Sequence, residues 1–163
     1  YLAAMSDEQF TDTVMVPELV EAGLMAEGER SRAWLTTLAS VVRPRTKHLG
    51  DVPGICSMVF ATADTLAYED KAVSKGLAKE GMGAILDAAK AALEGVTEWT
   101  AEAIDAALEP LPEQMDLKKR VVFQAVRVAV CGNMVSPPLG ETMALVGRDD
   151  CLARIDRART MAL

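Results

Sequence analysis

The stretch Lys118 to Cys131 has the spacing of an amphipathic helix. Val122, Val126, Ala129 and Val130 fall on one face, and Arg120, Gln124 and Arg127 share another. Gly132 follows as a stop, because glycine accepts the left-handed backbone of a helix C-terminus. The same period recurs along the chain. Ser6-Asp7-Glu8-Gln9 is a capping box that opens a helix through Phe10 and Val14, and Pro17 then either kinks it or begins a second helix. Trp34, Leu35, Leu38 and Val42 share a helical face that Pro44 closes. Further helices are expected over 69–79 and over 83–96, the latter carried by Ile85, Ala89, Ala92 and Val96. Thr100 caps another, through Ile104 and Leu108, which Pro110 and Pro112 stop. Pro138 or Leu139 opens the next, ending at Gly147, and the last begins near Asp149.

No segment alternates as a strand would. With only 4% aromatic residues, the core must be built from Ala, Leu, Val, Ile and the nine Met, which suits close-packed helices. The expected fold is all-α, in two small helical subdomains of residues 1–82 and 83–163. A long helix shared by the two would also fit this pattern.

The chain's 163 residues are enough for a real core and too few for a large enzyme. No apolar run approaches a bilayer span, which argues against a membrane protein. Tyr1-Leu2-Ala3-Ala4-Met5 reads as the inside of a longer chain. Cys56, Cys131 and Cys151 form no Cys-x-x-Cys pair, so neither a disulfide framework nor a zinc site is expected, and a reducing cytoplasm fits. His48 is the one histidine that could activate a thiol. Buried structural cysteines are the commoner case.

The formal charge of −7 argues against a general nucleic-acid binder. That total hides a segregation. Residues 1–27 carry six acids and no base, and residues 49–116 carry thirteen acids against four lysines. Between them, residues 28–48 hold five bases against Glu29, and residues 117–163 hold eight bases against four acids. Two basic islands of +4 therefore sit in an acidic chain. They read either as ordinary charged helix faces or as a focused site for an anionic ligand, RNA or an acidic protein. A helical module whose acidic surface docks a basic partner, with no RNA role, is the alternative function.

Several motifs carry less than they suggest. Lys71-Ala72-Val73-Ser74-Lys75 has the look of an ATP-site lysine loop but lies in an expected helix with no strand nearby. Gly81-Met82-Gly83 lacks the third glycine of a dinucleotide loop. Asp149 and Asp150 read as helix-dipole partners, and Trp34 and Trp99 as packing residues. No nucleophile–base pair, metal cluster or phosphate loop is present in the pattern, so no catalytic residue and no metal site is expected.

The stretch Phe123 to Gly132 resembles the Phe-x-x-x-Arg-x-Ala-x-x-Gly signature of bacterial glutamyl-tRNA synthetases. The resemblance continues through Ser136-Pro137-Pro138-Leu139, Leu145-Val146-Gly147-Arg148 and Leu152-Ala153-Arg154-Ile155 with matching spacing. Upstream, Met5 to Phe10, Arg45 to Leu49, Asp70 to Lys75 and Trp99-Thr100 are similar to that family in the same order.

This resemblance implies a C-terminal anticodon-binding domain of two α-helical subdomains, gripping the anticodon loop of a glutamate tRNA. ATP and Mg would be cofactors of the parent's catalytic domain, with none in this part. Arg45, or Arg43 two residues before it, would read the third anticodon base. Arg127 and the loop bearing Ser136, Pro137 and Leu139 would approach the others. Lys47, Arg120 and Gln124 complete the expected RNA-binding set. Guanidinium groups suit this role because they hydrogen-bond a base edge and also stack on its face. The expected protein is a cytoplasmic monomer that binds no DNA and no membrane.

Overall fold

The computed structural model describes residues 1–163 and contains helices, turns and loops with no β-strand. None of its helices is long and apolar enough to cross a membrane. The chain divides into two compact units, Tyr1–Phe60 and Ala61–Leu163.

In the first unit the capping box forms as expected. The Ser6 hydroxyl accepts from the Gln9 amide at 3.1 Å, and the Gln9 side chain accepts from the Ser6 amide at 3.1 Å. This starts α1 (Asp7–Phe10), which runs on through a π-helical turn (Thr11–Met15) into α2 (Val16–Glu21). The helical backbone runs on through Pro17, which sits in the first turn of α2, and the irregularity falls in the π turn just before it. Pro17 has no amide to donate, and the helix widens ahead of it, with the Val16 amide donating to the Thr11 carbonyl. Ser31 caps α3 (Arg32–Val42), whose Leu35, Leu38, Ala39, Val41 and Val42 are buried. A 3₁₀ turn, Arg43–Arg45, follows at Pro44.

Helix α4 (Asp51–Phe60) has no counterpart in the sequence reading. Pro53 and Gly54 look like breakers, but the proline sits in the first turn, where its missing amide has no partner to lose. Its Val52, Cys56 and Val59 are buried.

The second unit holds α5 (Asp70–Gly76), α6 (Met82–Glu94), α7 (Ala101–Leu108), α8 (Leu111–Gln114), α9 (Lys119–Cys131), α10 (Leu139–Val146) and α11 (Arg148–Arg159). Helix α9 is central, packing against α5, α6, α8 and α11. Its expected apolar residues Val122, Val126, Ala129 and Val130 are all buried. Gly132 takes φ +73°, and a Cβ there would lie 2.0 Å from the Ala67 carbonyl oxygen. Its own carbonyl accepts from the Glu69 amide at 2.9 Å.

The boundary between the units falls at Phe60/Ala61, not at the expected 82/83. Polar fastening of residues 61–69 onto α9 and α11 explains the difference. Arg154 of α11 is 0% exposed and donates to the carbonyls of Val130, at 2.8 Å, and Ala61, at 2.5 Å. Arg157 donates to the carbonyls of Ala63 and Leu66 and lies over the Tyr68 ring. The Tyr68 hydroxyl donates to the Ala129 carbonyl at 2.6 Å. None of these links has an apolar period, so helical spacing carries no sign of them.

Two outcomes are expected. Arg154→Met roughly keeps the volume but takes the donor from the buried Val130 carbonyl and the part-buried Ala61 carbonyl, so urea unfolding should report a loss of about 3 kcal/mol. A change within about 0.5 kcal/mol would contradict this role. Burial also pushes the Cys56 thiol from 9.0 to about 12, the Cys131 thiol to about 11 and the Tyr68 hydroxyl from 10.0 to about 12. These groups stay protonated in the folded chain after the unfolded chain has begun to lose its protons. Stability should hold below pH 9 and fall as pH rises through 9 to 12, measured by unfolding midpoints across that range.

Candidate nucleic-acid interface

The basic islands resolve into cations held in ion pairs or ring contacts within the protein and cations that present their charge at the surface. In the first unit, Arg32 pairs with Asp12, and Arg30 lies over the rings of Trp34 and Phe60. Arg43 donates through Nε to Asp7 at 2.8 Å and through Nη1 to the Ala3 carbonyl at 3.3 Å. Arg45 is exposed and donates only from Nη1, at 3.0 Å, to the Val41 carbonyl near the end of α3. Lys47 is exposed beside it in sequence. The backbone amides of Lys47 and His48 donate to the Asp51 carboxylate at 3.1 and 2.8 Å, which holds the turn. Those bonds lower the Asp51 pKa, the His48 amide contributing most. Of the two arginines flanking Pro44, Arg43 is thus committed to the fold and Arg45 presents its guanidinium at the surface.

In the second unit the same sorting applies. Arg154 and Arg157 hold the 61–69 segment, Arg159 pairs with Asp87, and Lys119 pairs with Glu109. Arg148 lies over the Trp99 ring, whose Nε1 donates to the Met143 carbonyl at 2.8 Å. Both tryptophans are half-buried and make contacts within their own unit, Trp34 meeting the Phe60 ring edge-on.

Arg127 is half-buried and donates through Nε to the Ser136 hydroxyl at 3.0 Å, and Ser136 donates in turn to the Pro137 carbonyl at 2.7 Å. The structure therefore brings Arg127 and Ser136 together, and the bond fixes the arginine against the 133–138 loop. Pro137 and Leu139 are buried, Leu139 at 5% exposure, so their side chains belong to the unit's core rather than its surface. At the tip of the same loop Val135 is 82% exposed, and its amide donates to the Asn133 side chain at 3.2 Å. Nothing in the sequence spacing distinguished Val135 from its neighbours.

Arg120 and Gln124 line a cleft of about 450 Å³ together with Lys75, Lys79, Met82, Val121 and Met134. Gln124 donates to the Met134 carbonyl at 3.4 Å. Gly76 makes this cleft possible, since a Cβ there would lie 2.7 Å from a Val128 methyl and push α5 off α9. Lys75 and Lys79 lie in the acidic stretch 49–116 and are outside the expected RNA-binding set. Their spacing of four residues, continuing that of Lys71 and Lys75, was the available signal.

The three thiols are free and buried, and His48 is exposed. No group of three or more His, Cys, Asp or Glu is arranged to hold a metal ion.

The model of the family described as "Anticodon binding domain" matches residues 9–159. The glutamate–tRNA ligase of Corynebacterium diphtheriae is 45% identical over 122 residues, covering 74% of this chain and 24% of that protein. That of Mycolicibacterium smegmatis is 46% identical over the same length, with the same coverage. The crystal structure of a glutamate tRNA ligase from Elizabethkingia meningosepticum, in complex with its amino acid, aligns with a TM-score of 0.85 at 19% identity. That alignment covers 98% of this chain and 30% of the other, and it establishes a shared fold. The chain spans between 24% and 32% of the length of the curated relatives it matches.

One prediction separates the two candidate arginines before any ligand is added. Arg43→Ala removes a half-buried ion pair and should lower the unfolding free energy by about 1 kcal/mol. Arg45→Ala should leave it within about 0.5 kcal/mol. Equal destabilisation by both in chemical denaturation would contradict the division of labour.

Proposed function

The chain belongs to the anticodon-binding-domain family of glutamate–tRNA ligases, and on that premise we propose that it binds the anticodon loop of a glutamate tRNA. The observation that carries this reading is the sorting of its arginines. In an acidic chain, Arg45 in one unit and Arg127 in the other remain beside surface features after the structural cations are accounted for. Arg45 takes the reading role in preference to Arg43, whose guanidinium is bound to Asp7. Arg127, fixed by Ser136, reads a second base, and the 133–138 loop adds backbone groups and the exposed Val135. Pro137 and Leu139 serve by shaping that loop, with Pro137 accepting from Ser136 and Leu139 anchoring α10. Lys47 and Arg120 supply positive charge for backbone phosphates, which strengthens binding without reading sequence.

The parent ligase attaches glutamate to its tRNA using ATP and Mg, in a portion of the relatives that this chain does not span. This part acts as a non-catalytic recognition module, a monomer in the cytoplasm. The negative charge of the rest of the chain limits binding in other orientations.

Titration of the chain with glutamate tRNA, and with the same tRNA carrying an altered anticodon, tests the reading. The unaltered tRNA should bind more tightly, and Arg45→Ala and Arg127→Ala should each cost about 1–3 kcal/mol of binding. Equal binding to both tRNAs would overturn it.

A further inference from the structure

Deepening that reading, and resting on it, we propose that the cleft between α5 and the start of α9 seats one nucleotide of the single-stranded RNA loop. Its phosphate lies among Lys75, Lys79 and Arg120, and its base lies against Met82 and Met134.

The charge of this cleft is opposite to that of the whole chain. The chain has 24 acids against 17 bases, yet three cations and no carboxylate line this cleft. The chain's ion pairs draw on Arg32, Arg43, Lys90, Lys119 and Arg159, so all three cleft cations are outside them. A concave site lined by one sign of charge focuses the field and concentrates a ligand of the opposite sign. Lysines are compact, mobile point charges suited to a phosphate oxygen, and an arginine adds a planar fork that can take two of them.

Shape and lining identify the rest of the ligand. A volume of about 450 Å³ is far more than a bare phosphate needs and lies in the range of small-molecule sites, roughly 300–1,000 Å³. The non-cationic lining includes two methionines and Val121. Thioether chains are polarizable and adaptable, and they accept the face of any base without reading its identity. Gln124 stands at the edge of this apolar wall. Its amide nitrogen is held by the Met134 carbonyl, which leaves its carbonyl oxygen as an acceptor for a base edge.

Placement along α9 ties the cleft to the recognition site. Arg120, Gln124 and Arg127 share one helical face and span about 10 Å of helix axis, so an RNA strand held at the cleft continues toward Arg127 and Ser136. A single-stranded loop supplies the alternating phosphates and unstacked bases that this track matches.

The test uses the chain with ¹³C-labelled methionine methyl groups, titrated with the anticodon stem-loop RNA of a glutamate tRNA. The Met82 and Met134 methyl resonances should shift saturably and together. In Lys75→Gln/Lys79→Gln, whose exposed positions leave the thermal midpoint unchanged, affinity should fall about tenfold and the salt dependence of binding should become shallower. The preference for the unaltered anticodon should survive, since it depends on Arg45 and Arg127. RNA binding that leaves both methyl resonances unmoved, or undiminished affinity in the double variant, overturns the cleft assignment while leaving the anticodon reading intact. Methyl shifts that are the same for any loop sequence, with no effect of Arg45→Ala, support the cleft and overturn the anticodon reading. Poly-glutamate producing the same methyl shifts overturns the assignment to RNA.

Discussion

A single buried guanidinium organises the larger unit. Arg154 reaches from α11 to the end of α9 and to the first residue of the unit, donating to the Val130 and Ala61 carbonyls while no solvent reaches it. A charge so buried is tolerated because it meets carbonyl dipoles that would themselves be costly to leave without donors. Its Nε has no partner, which makes the two Nη bonds the whole of its polar support. Arg157 repeats the device at the Ala63 and Leu66 carbonyls. Together they fasten an irregular segment that leads into α5. The position of α5 against α9, made close by Gly76, then brings Lys75 and Lys79 beside Arg120 and Gln124. Fold and candidate site thus share one dependence.

Helix periodicity made much of the architecture legible. The apolar face of α9, the Thr100 and Ser6 caps, and the glycine stop at Gly132 all follow from local chemistry that spacing records directly. What escaped was set by tertiary or positional context. Helix α4 hid behind Pro53 and Gly54, which break helices in general but not in a first turn. The π turn before Pro17 accommodates a missing amide by widening the helix, which no apolar pattern announces. The boundary at Phe60/Ala61 depends on arginine-to-carbonyl bonds across some ninety positions of sequence, and carbonyls carry no sequence signature at all.

The charge distribution was legible in kind and less so in detail. Segment sums of charge pointed to basic islands, but a sum treats Arg154, buried and structural, like Arg127, poised beside a loop. Arg43 and Arg45 differ by what Asp7 does, and Asp7 lies far away in sequence. Leu139 resembled a contact residue by motif and proved a core residue by burial, while Val135, four positions before it, faces solvent. Lys75 and Lys79 were masked by thirteen acids in their own segment, although the fold turns them toward a cleft without any acid. Charge selects a ligand by where it lies in three dimensions, and a formal total of −7 is compatible with a local positive surface.

If this chain binds tRNA as proposed, its contacts lie on the anticodon loop. Chemical footprinting of glutamate tRNA saturated with the chain measures that directly. Protection of the anticodon-loop nucleotides is expected, with the acceptor stem as reactive as in free tRNA. Protection centred on the acceptor stem, or spread evenly over the molecule, would contradict it.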